Sequence, residues 1–155
     1  MGLGRWRVLL PGLWAGWLLA VALVATATPF AVLVAADAGR VVNRVLATEA
    51  YSALVLGVLI LVLERLAARQ AVLRHEGSQF SLEMALALAS LFCTVAGYFA
   101  IQPLMAGAKA GQRGLSFGQL HTLSAAFYIV KTGLVLSLAW RASGRVSQPL
   151  SSSRS

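Results

Sequence analysis

The chain has 155 residues, of which 59% are hydrophobic and only 12% charged, and it carries a formal net charge of +8. So much apolar surface with so little charge excludes an ordinary soluble domain, and lipid is the solvent that accommodates it. The basic residues sit in short gaps between apolar runs rather than in a block, which reads as a membrane-topology signal and not as a nucleic-acid surface.

The first apolar run extends from Val8 to Ala36 without a charge, well beyond the roughly 20 residues needed to cross hydrocarbon, and Arg5 and Arg7 precede it. Ala25, Thr26 and Ala27 form an A-x-A-like cleavage site. The apolar segment before them is longer than a signal-peptide core, however, and further spans follow, so the segment is expected to stay as the first span. Within it Gly12, Gly16 and Ala20 recur every fourth residue, a small-residue stripe that lets another helix approach closely. Pro29 is expected to kink or end this helix.

From Ala35 to Thr48 the pattern changes: Asp37, Arg40, Asn43 and Arg44 alternate with Val41, Val42, Val45 and Leu46, as in a short amphipathic helix at the interface. The next uncharged run, Ala50 to Leu63, is too short to span at about 1.5 Å per residue. Glu49, or Glu64 with Arg65, must therefore enter the membrane with it. A basic extension through Arg69 and Arg74 to His75 and Glu76 is expected to stop at Gly77. The third run, Met84 to Ala108, is uncharged and holds Gln102 and Pro103 near its end. The fourth begins after Gly114, where Ser116 and Gln119 have capping-box spacing for a helix starting near Phe117. It continues to Trp140 and Arg141 and contains one charge, Lys131. Trp6, Trp14, Trp17 and Trp140 suit an aromatic belt. The lone cysteine, Cys93, permits no intrachain disulfide and reads as inert core.

The expected fold is thus an all-α integral membrane bundle of four transmembrane helices, with a short interfacial amphipathic helix between the first and second. The spans fall at about 8–34, 47–66, 82–106 and 117–140, within a single domain over 1–145, followed by a disordered Ser-rich tail over 146–155. Arg5, Arg7, Arg65, Arg69, Arg74, Arg141, Arg145 and Arg154 fall on one side of this arrangement. Arg40, Arg44, Lys109 and Arg113 fall on the other. The positive-inside rule puts the first set, and both chain ends, in the cytoplasm. With its multi-pass topology, the chain is expected in an inner (plasma) membrane.

Candidate functional groups are the polar side chains inside the spans. On the fourth helix Phe117, His121, Ser124, Tyr128, Lys131 and Val135 alternate in steps of four and three and so share one face. Such a stripe should face the bundle interior, since lipid cannot satisfy its donors and acceptors. Lys131, about 21 Å along its helix, reads either as a buried cation that binds an anion, relays a proton or pairs with a carboxylate, or as a lysine snorkelling to the interface. Glu83 and Glu64 are its candidate partners. His121 reads either as a metal or haem ligand or a titrating switch, or as a histidine hydrogen-bonded to a backbone or to Glu49. The Glu49–His121 pairing is expected first, with Arg40, Arg44 and Gln102 completing an outer-side cluster. A metal site normally needs several ligands, and the only other histidine, His75, is expected on the opposite side.

Three stretches resemble a known family: AGRVVNRVLATEAYSALVLG (Ala38 to Gly57), GYFAIQPLMAGAKA (Gly97 to Ala110) and FGQLHTLSAAFYIVKTGLVLSLAWR (Phe117 to Arg141). Together they look like the uncharacterised bacterial family named domain of unknown function 4149, which is related to eukaryotic transmembrane protein 205. The likeness runs from about Leu13 to Arg141, and its most specific part is the pattern of Phe117, Leu120, His121 and Ser124. Val45 and Leu46 depart from it, where an aromatic residue is expected. The resemblance implies a four-helix membrane domain and no activity. The eukaryotic relative's link to platinum-drug tolerance hints at transport or metal handling. More distantly the architecture looks like the copper-resistance D and membrane protoporphyrinogen-oxidase group, an analogy at the level of fold.

No catalytic constellation, phosphate loop, metal-ligand spacing or internal repeat stands in the sequence. The leading expectation is a non-enzymatic membrane protein acting in stress tolerance, transport support or assembly. The alternatives are a haem- or copper-binding redox or metal-handling protein using His121, and an oligomeric small-solute transporter or channel with Lys131 and Glu49 in the route. No cofactor is the first expectation, with haem or copper as the alternative. The expected partners are membrane lipids and a homo-oligomer or larger membrane complex, with no nucleic acid.

Overall fold

The computed structural model describes residues 2–73, 80–111 and 114–144, and among these every regular element is helical. Four helices are long and apolar enough to cross a membrane: α1 (Leu3–Val32), α2 (Ala35–Leu73), α3 (Leu82–Lys109) and α4 (Phe117–Gly144). The four expected spans are all present. The expected stop at Gly77, the positions of Arg74, His75 and Arg113, and the tail over 146–155 lie outside the described residues.

Local sequence explains where the helices start and end. Ser116 and Gln119 form the expected reciprocal cap, Gln119 N donating to Ser116 Oγ at 3.3 Å and Ser116 N to Gln119 Oε1 at 2.9 Å, and α4 begins at Phe117. Ser81 caps α3 in the same manner, its hydroxyl accepting from Met84 N at 3.3 Å. At the far end of α3 the chain turns through Gly111 at φ +78°, a left-handed conformation that glycine adopts without the steric cost of a Cβ. Pro29 does not end α1. It sits in the first turn of a last short α-helical stretch, Thr28–Val32, where a missing N–H costs nothing.

The segment expected as a separate interfacial helix is instead the beginning of α2, which runs unbroken from Ala35 to Leu73. Only two residues separate it from α1, and no breaker interrupts it: Gly39 is tolerated in a stretch otherwise rich in Ala, Val and Arg. At about 1.5 Å per residue, its 39 residues are longer than hydrocarbon requires.

The helices pack as a square. α1 and α3 each lie against both α2 and α4, so two antiparallel hairpins, α1–α2 and α3–α4, stand side by side. The end where α1 begins and α4 finishes is called the base here, and the opposite end the mouth. The core is seated toward the base and is built from Trp14, Ala15, Leu18, Ala53, Ile60, Ala87, Val135 and Leu138. Trp14 is fully buried and so does not belong to the expected aromatic belt, whereas Trp6 and Trp140 are exposed near the base. Gly57 allows α2 to approach closely: a Cβ there would lie 2.5 Å from Leu91 Cδ2 and 3.3 Å from Trp14 Cη2. Among the described residues no other helix comes within 4 Å of a Cβ placed on Gly12 or Gly16, and both lie in a shallow apolar groove on the outer face of α1.

Each hairpin is pinned at the base by an ion pair whose carboxylate is buried. Arg7 grips Glu64 through two hydrogen bonds of 2.9 and 2.6 Å, joining α1 to α2. Arg141 binds Glu83 at 3.0 Å, joining α4 to α3. These arginines take the two carboxylates that the sequence offers as partners for Lys131. Toward the mouth the backbones stay close only within hairpins. Val21–Ala25 and Thr28–Val32 follow α2, while Val95–Ala100 and Ile101–Lys109 follow α4. The bundle is therefore closed at the base and splayed at the mouth.

Candidate functional site

The splay leaves a half-open cavity of about 470 Å³ between the two hairpins, lined by residues of all four helices. Its floor is an ion pair. Lys131 Nζ lies 2.8 Å from both carboxylate oxygens of Glu49, and the two side chains are only 4% and 3% exposed. On α4 the cavity extends from His121 at the mouth to Lys131 at the floor, ten residues or about 15 Å.

The depth of this pair follows from the helix starts. Both α2 and α4 run from mouth to base, and Glu49 and Lys131 each stand fourteen residues beyond the first residue of their helix. The expected pairing of Glu49 with His121 is therefore corrected. Joining the amphipathic segment to α2 moves Glu49 three turns deeper, to the level of Lys131 rather than that of His121. Snorkelling is corrected as well, because the ammonium turns inward to Glu49 and lies 4.8 Å from the centre of the Tyr128 ring.

The rest of the α4 stripe faces as its spacing implies. Ser124 donates to the carbonyl of Gly97 at 2.8 Å, Tyr128 to that of Leu18 at 2.8 Å, and Val135 is core. Gly97 belongs to a π-helical stretch, Val95–Ala100, and a second one, Val21–Ala25, lies just beyond Leu18 in α1. Widening a helix from i+4 to i+5 bonding shifts its register and disturbs the local carbonyl bonding, and such stretches recur at functional sites. Both stretches contribute lining residues, Ala22 from one and Gly97 with Tyr98 from the other. Gly97 also sets the spacing of α3 and α4, because a Cβ on it would lie 2.7 Å from Phe127 Cβ.

His121 stands exposed at the mouth, its ring stacked on Phe117 with centroids 5.9 Å apart, and Lys109 Nζ lies 4.6 Å from the centre of the same Phe117 ring. Among the described residues no three His, Cys, Asp or Glu side chains gather as a metal-ligand set. The outer-side cluster does not assemble as expected. Arg40 pairs with Asp37 on its own helix, Arg44 is exposed, and neither lines the cavity. Gln102 does line it, and its amide bonds Asn43 across the mouth from α3 to α2. Asn43, Thr26, Thr94 and Tyr98 are the residues that sequence reasoning passed over. Asn43 and Thr26 are visible as polar interruptions, but nothing local says that Thr26 lines the cavity or that Asn43 meets Gln102 beside it.

These features define a class: an integral membrane four-helix bundle with a mouth-side cavity floored by a buried lysine–glutamate pair. The profile of the family described as Domain of unknown function (DUF4149) matches residues 9–113, about two thirds of the chain. The chain belongs to that family. The match takes in α1, α2, α3 and Glu49 but ends before α4, so Lys131 and the pattern around His121 lie beyond it. No curated protein and no solved structure matches the chain.

Proposed function

We propose that the protein is a non-enzymatic membrane protein that takes up a small solute in the cavity between its hairpins, with Glu49 and Lys131 meeting the solute's polar end. The observation that carries this reading is the buried pair at the floor. A charged pair in a spanning bundle is costly to desolvate, and such residues commonly mark substrate or ion routes. The volume falls in the range of small-molecule sites, and the wall is mostly apolar with a few polar groups near the floor, as binding sites usually are.

A bacterial inner-membrane location belongs to this proposal, and the arginine and lysine bias supports an orientation with the base in the cytoplasm and the mouth on the outer face. The relationship to transmembrane protein 205 belongs to the same proposal, as does a role in tolerance or transport. One chain of four helices encloses little volume, so a homo-oligomer or larger membrane complex fits a transport role.

Cys93 lines the cavity beside the floor and is the chain's one cysteine, so it reports on access. A small, water-soluble thiol reagent applied to the outer face of intact cells should modify Cys93, and a bulky reagent should not. Modification only after denaturation would overturn the reading. Cells carrying Lys131→Leu or Glu49→Gln should show altered uptake or export of the solute, and unchanged fluxes would count against it.

A further inference from the structure

The hydrogen-bond bookkeeping of the cavity wall points to the charge of its occupant. Thr26, Thr94, Ser124 and Tyr128 all line the cavity, and each spends its hydroxyl hydrogen on a backbone carbonyl: Ala22 at 2.8 Å, Ser90 at 3.0 Å, Gly97 at 2.8 Å and Leu18 at 2.8 Å respectively. A hydroxyl whose hydrogen is committed has only lone pairs left to offer. Among the other lining groups Gln102 and His121 keep donors toward the mouth, Tyr98 keeps one at the depth of Ser124, Cys93 carries only a weak thiol donor beside the floor, and Lys131 brings the ammonium of the floor itself. Around the Lys131 ammonium the wall therefore offers mainly acceptors, the lone pairs of Thr94, Ser124 and Tyr128 and the Glu49 carboxylate, together with the face of Tyr128. Carboxylate, hydroxyl oxygens and an aromatic face are the environment of a cation. An ammonium already occupies it, since Lys131 Nζ lies between Glu49 and the Tyr128 ring.

We propose that the floor is an organic-ammonium socket in which Lys131 is a tethered stand-in, and that the ligand is a protonated amine with an apolar body. This rests on the reading of the cavity as a solute site and names the solute's class. The exchange balances in charge and atoms. The ligand's R–NH₃⁺ takes the place of the Lys131 ammonium on Glu49, one N–H bond of Lys131 breaks, and its proton passes to water. The site stays neutral overall, and one proton leaves for each amine that enters. Such a coupling is the elementary step of proton-for-amine exchange.

The groups facing Lys131 are Glu49 from α2, Cys93 from α3 and Tyr128 one turn away on α4. Tyr98 and His121 stand further out, and the lining residues of α1, namely Ala22, Thr26 and Phe30, do not titrate. Arg44 and Lys109 are exposed beyond the lining, where solvent and salt screen them.

The test is calorimetric titration of the full chain in phosphatidylcholine nanodiscs with 2-phenylethylamine, against the similar-sized anion 3-phenylpropionate and against empty nanodiscs. A primary ammonium of this kind, like that of lysine with its ordinary pKa of about 10.4, stays charged between pH 6 and 8.5. The amine should bind and the anion should not. Its affinity should rise about tenfold per pH unit, as one released proton demands. Titrations in buffers of different ionisation enthalpy should report one proton released per amine bound by the native protein, whether or not any variant folds. Glu49→Gln should weaken amine binding at least about a hundredfold. Binding of the anion instead, or amine binding without proton release, or an unchanged affinity in Glu49→Gln, overturns the ammonium socket while leaving the cavity reading intact. Failure of both probes to bind while Cys93 remains open to the thiol reagent likewise overturns only the socket. Failure together with an inaccessible Cys93 removes the cavity reading as well.

Discussion

Lys131 is the side chain whose surroundings decide most about this protein. Held by both oxygens of Glu49 and against the Tyr128 ring, it has exchanged hydration for one carboxylate, so the two charges stand or fall together. Removing one leaves an uncompensated buried charge, whereas removing both leaves an apolar floor. Lys131→Met is accordingly expected to cost about 3–5 kcal/mol of stability, and the double variant Glu49→Leu with Lys131→Met should unfold no more readily than the native protein. Thermal denaturation of detergent-purified protein, followed by monodispersity, checks both. Tyr128→Phe should cost a further measurable amount, about 0.5–1.5 kcal/mol, because it deletes the bond to Leu18 O without leaving a void. The polar spacing of α4 was legible in the sequence, and so was the inward aim of Ser124 and Tyr128, whereas Lys131 read equally as a buried cation or as a lysine snorkelling to the interface. The partner of Lys131 was not, since partners on different helices are set by relative depth, and the depth of Glu49 depends on where α2 begins.

At the scale of the elements, the glycines separate into those that hold helices together and those that do not. Gly57 and Gly97 sit where side-chain atoms of a neighbouring helix stand closer than any Cβ tolerates. Gly57→Leu should therefore force α2 away from Leu91 and Trp14 and sharply reduce the folded yield, as overpacking does. Gly12→Leu should leave the folded monomer intact, because among the described residues no other helix comes within 4 Å of a Cβ at that position. Size-exclusion chromatography of the two variants side by side distinguishes them. The sequence singled out Gly12 and Gly16 for their spacing, yet spacing cannot say whether a stripe faces a neighbour or lipid. Ser116→Ala should cost about 1 kcal/mol, read as fraying of the first turn of α4 by hydrogen exchange. Here sequence and structure agree because a capping box is complete within four residues.

For the molecule as a whole, the polar links divide into two sets. Arg7–Glu64 and Arg141–Glu83 lie within the hairpins, together with Trp17–Ser52 and Ser124–Gly97. Glu49–Lys131, Tyr128–Leu18 and Asn43–Gln102 run between hairpins, and all three surround the cavity. Each hairpin is thus tied internally, and the links that cross from one hairpin to the other around the cavity are polar. A cysteine pair placed at Asn43 and Gln102 should cross-link α2 to α3 across the mouth, and the cross-linked protein should protect Cys93 from the small thiol reagent that reaches it otherwise. Modification of Cys93 at an undiminished rate after complete cross-linking would show that access is not through this opening.

By itself the sequence determined the solvent of the protein, the number of its spans, their order and the helical face that carries polar groups. Those properties follow from composition and from periodicity along a single helix, where every term of the argument lies within a few residues. What the tertiary structure alone decided is which charges meet. Three buried carboxylates, Glu49, Glu64 and Glu83, are each shared with a cation more than fifty positions away in the chain. Four apolar helices can be slid past one another without changing their composition, so the register that seats Lys131 on Glu49, and leaves a cavity above them, exists only once all four are packed.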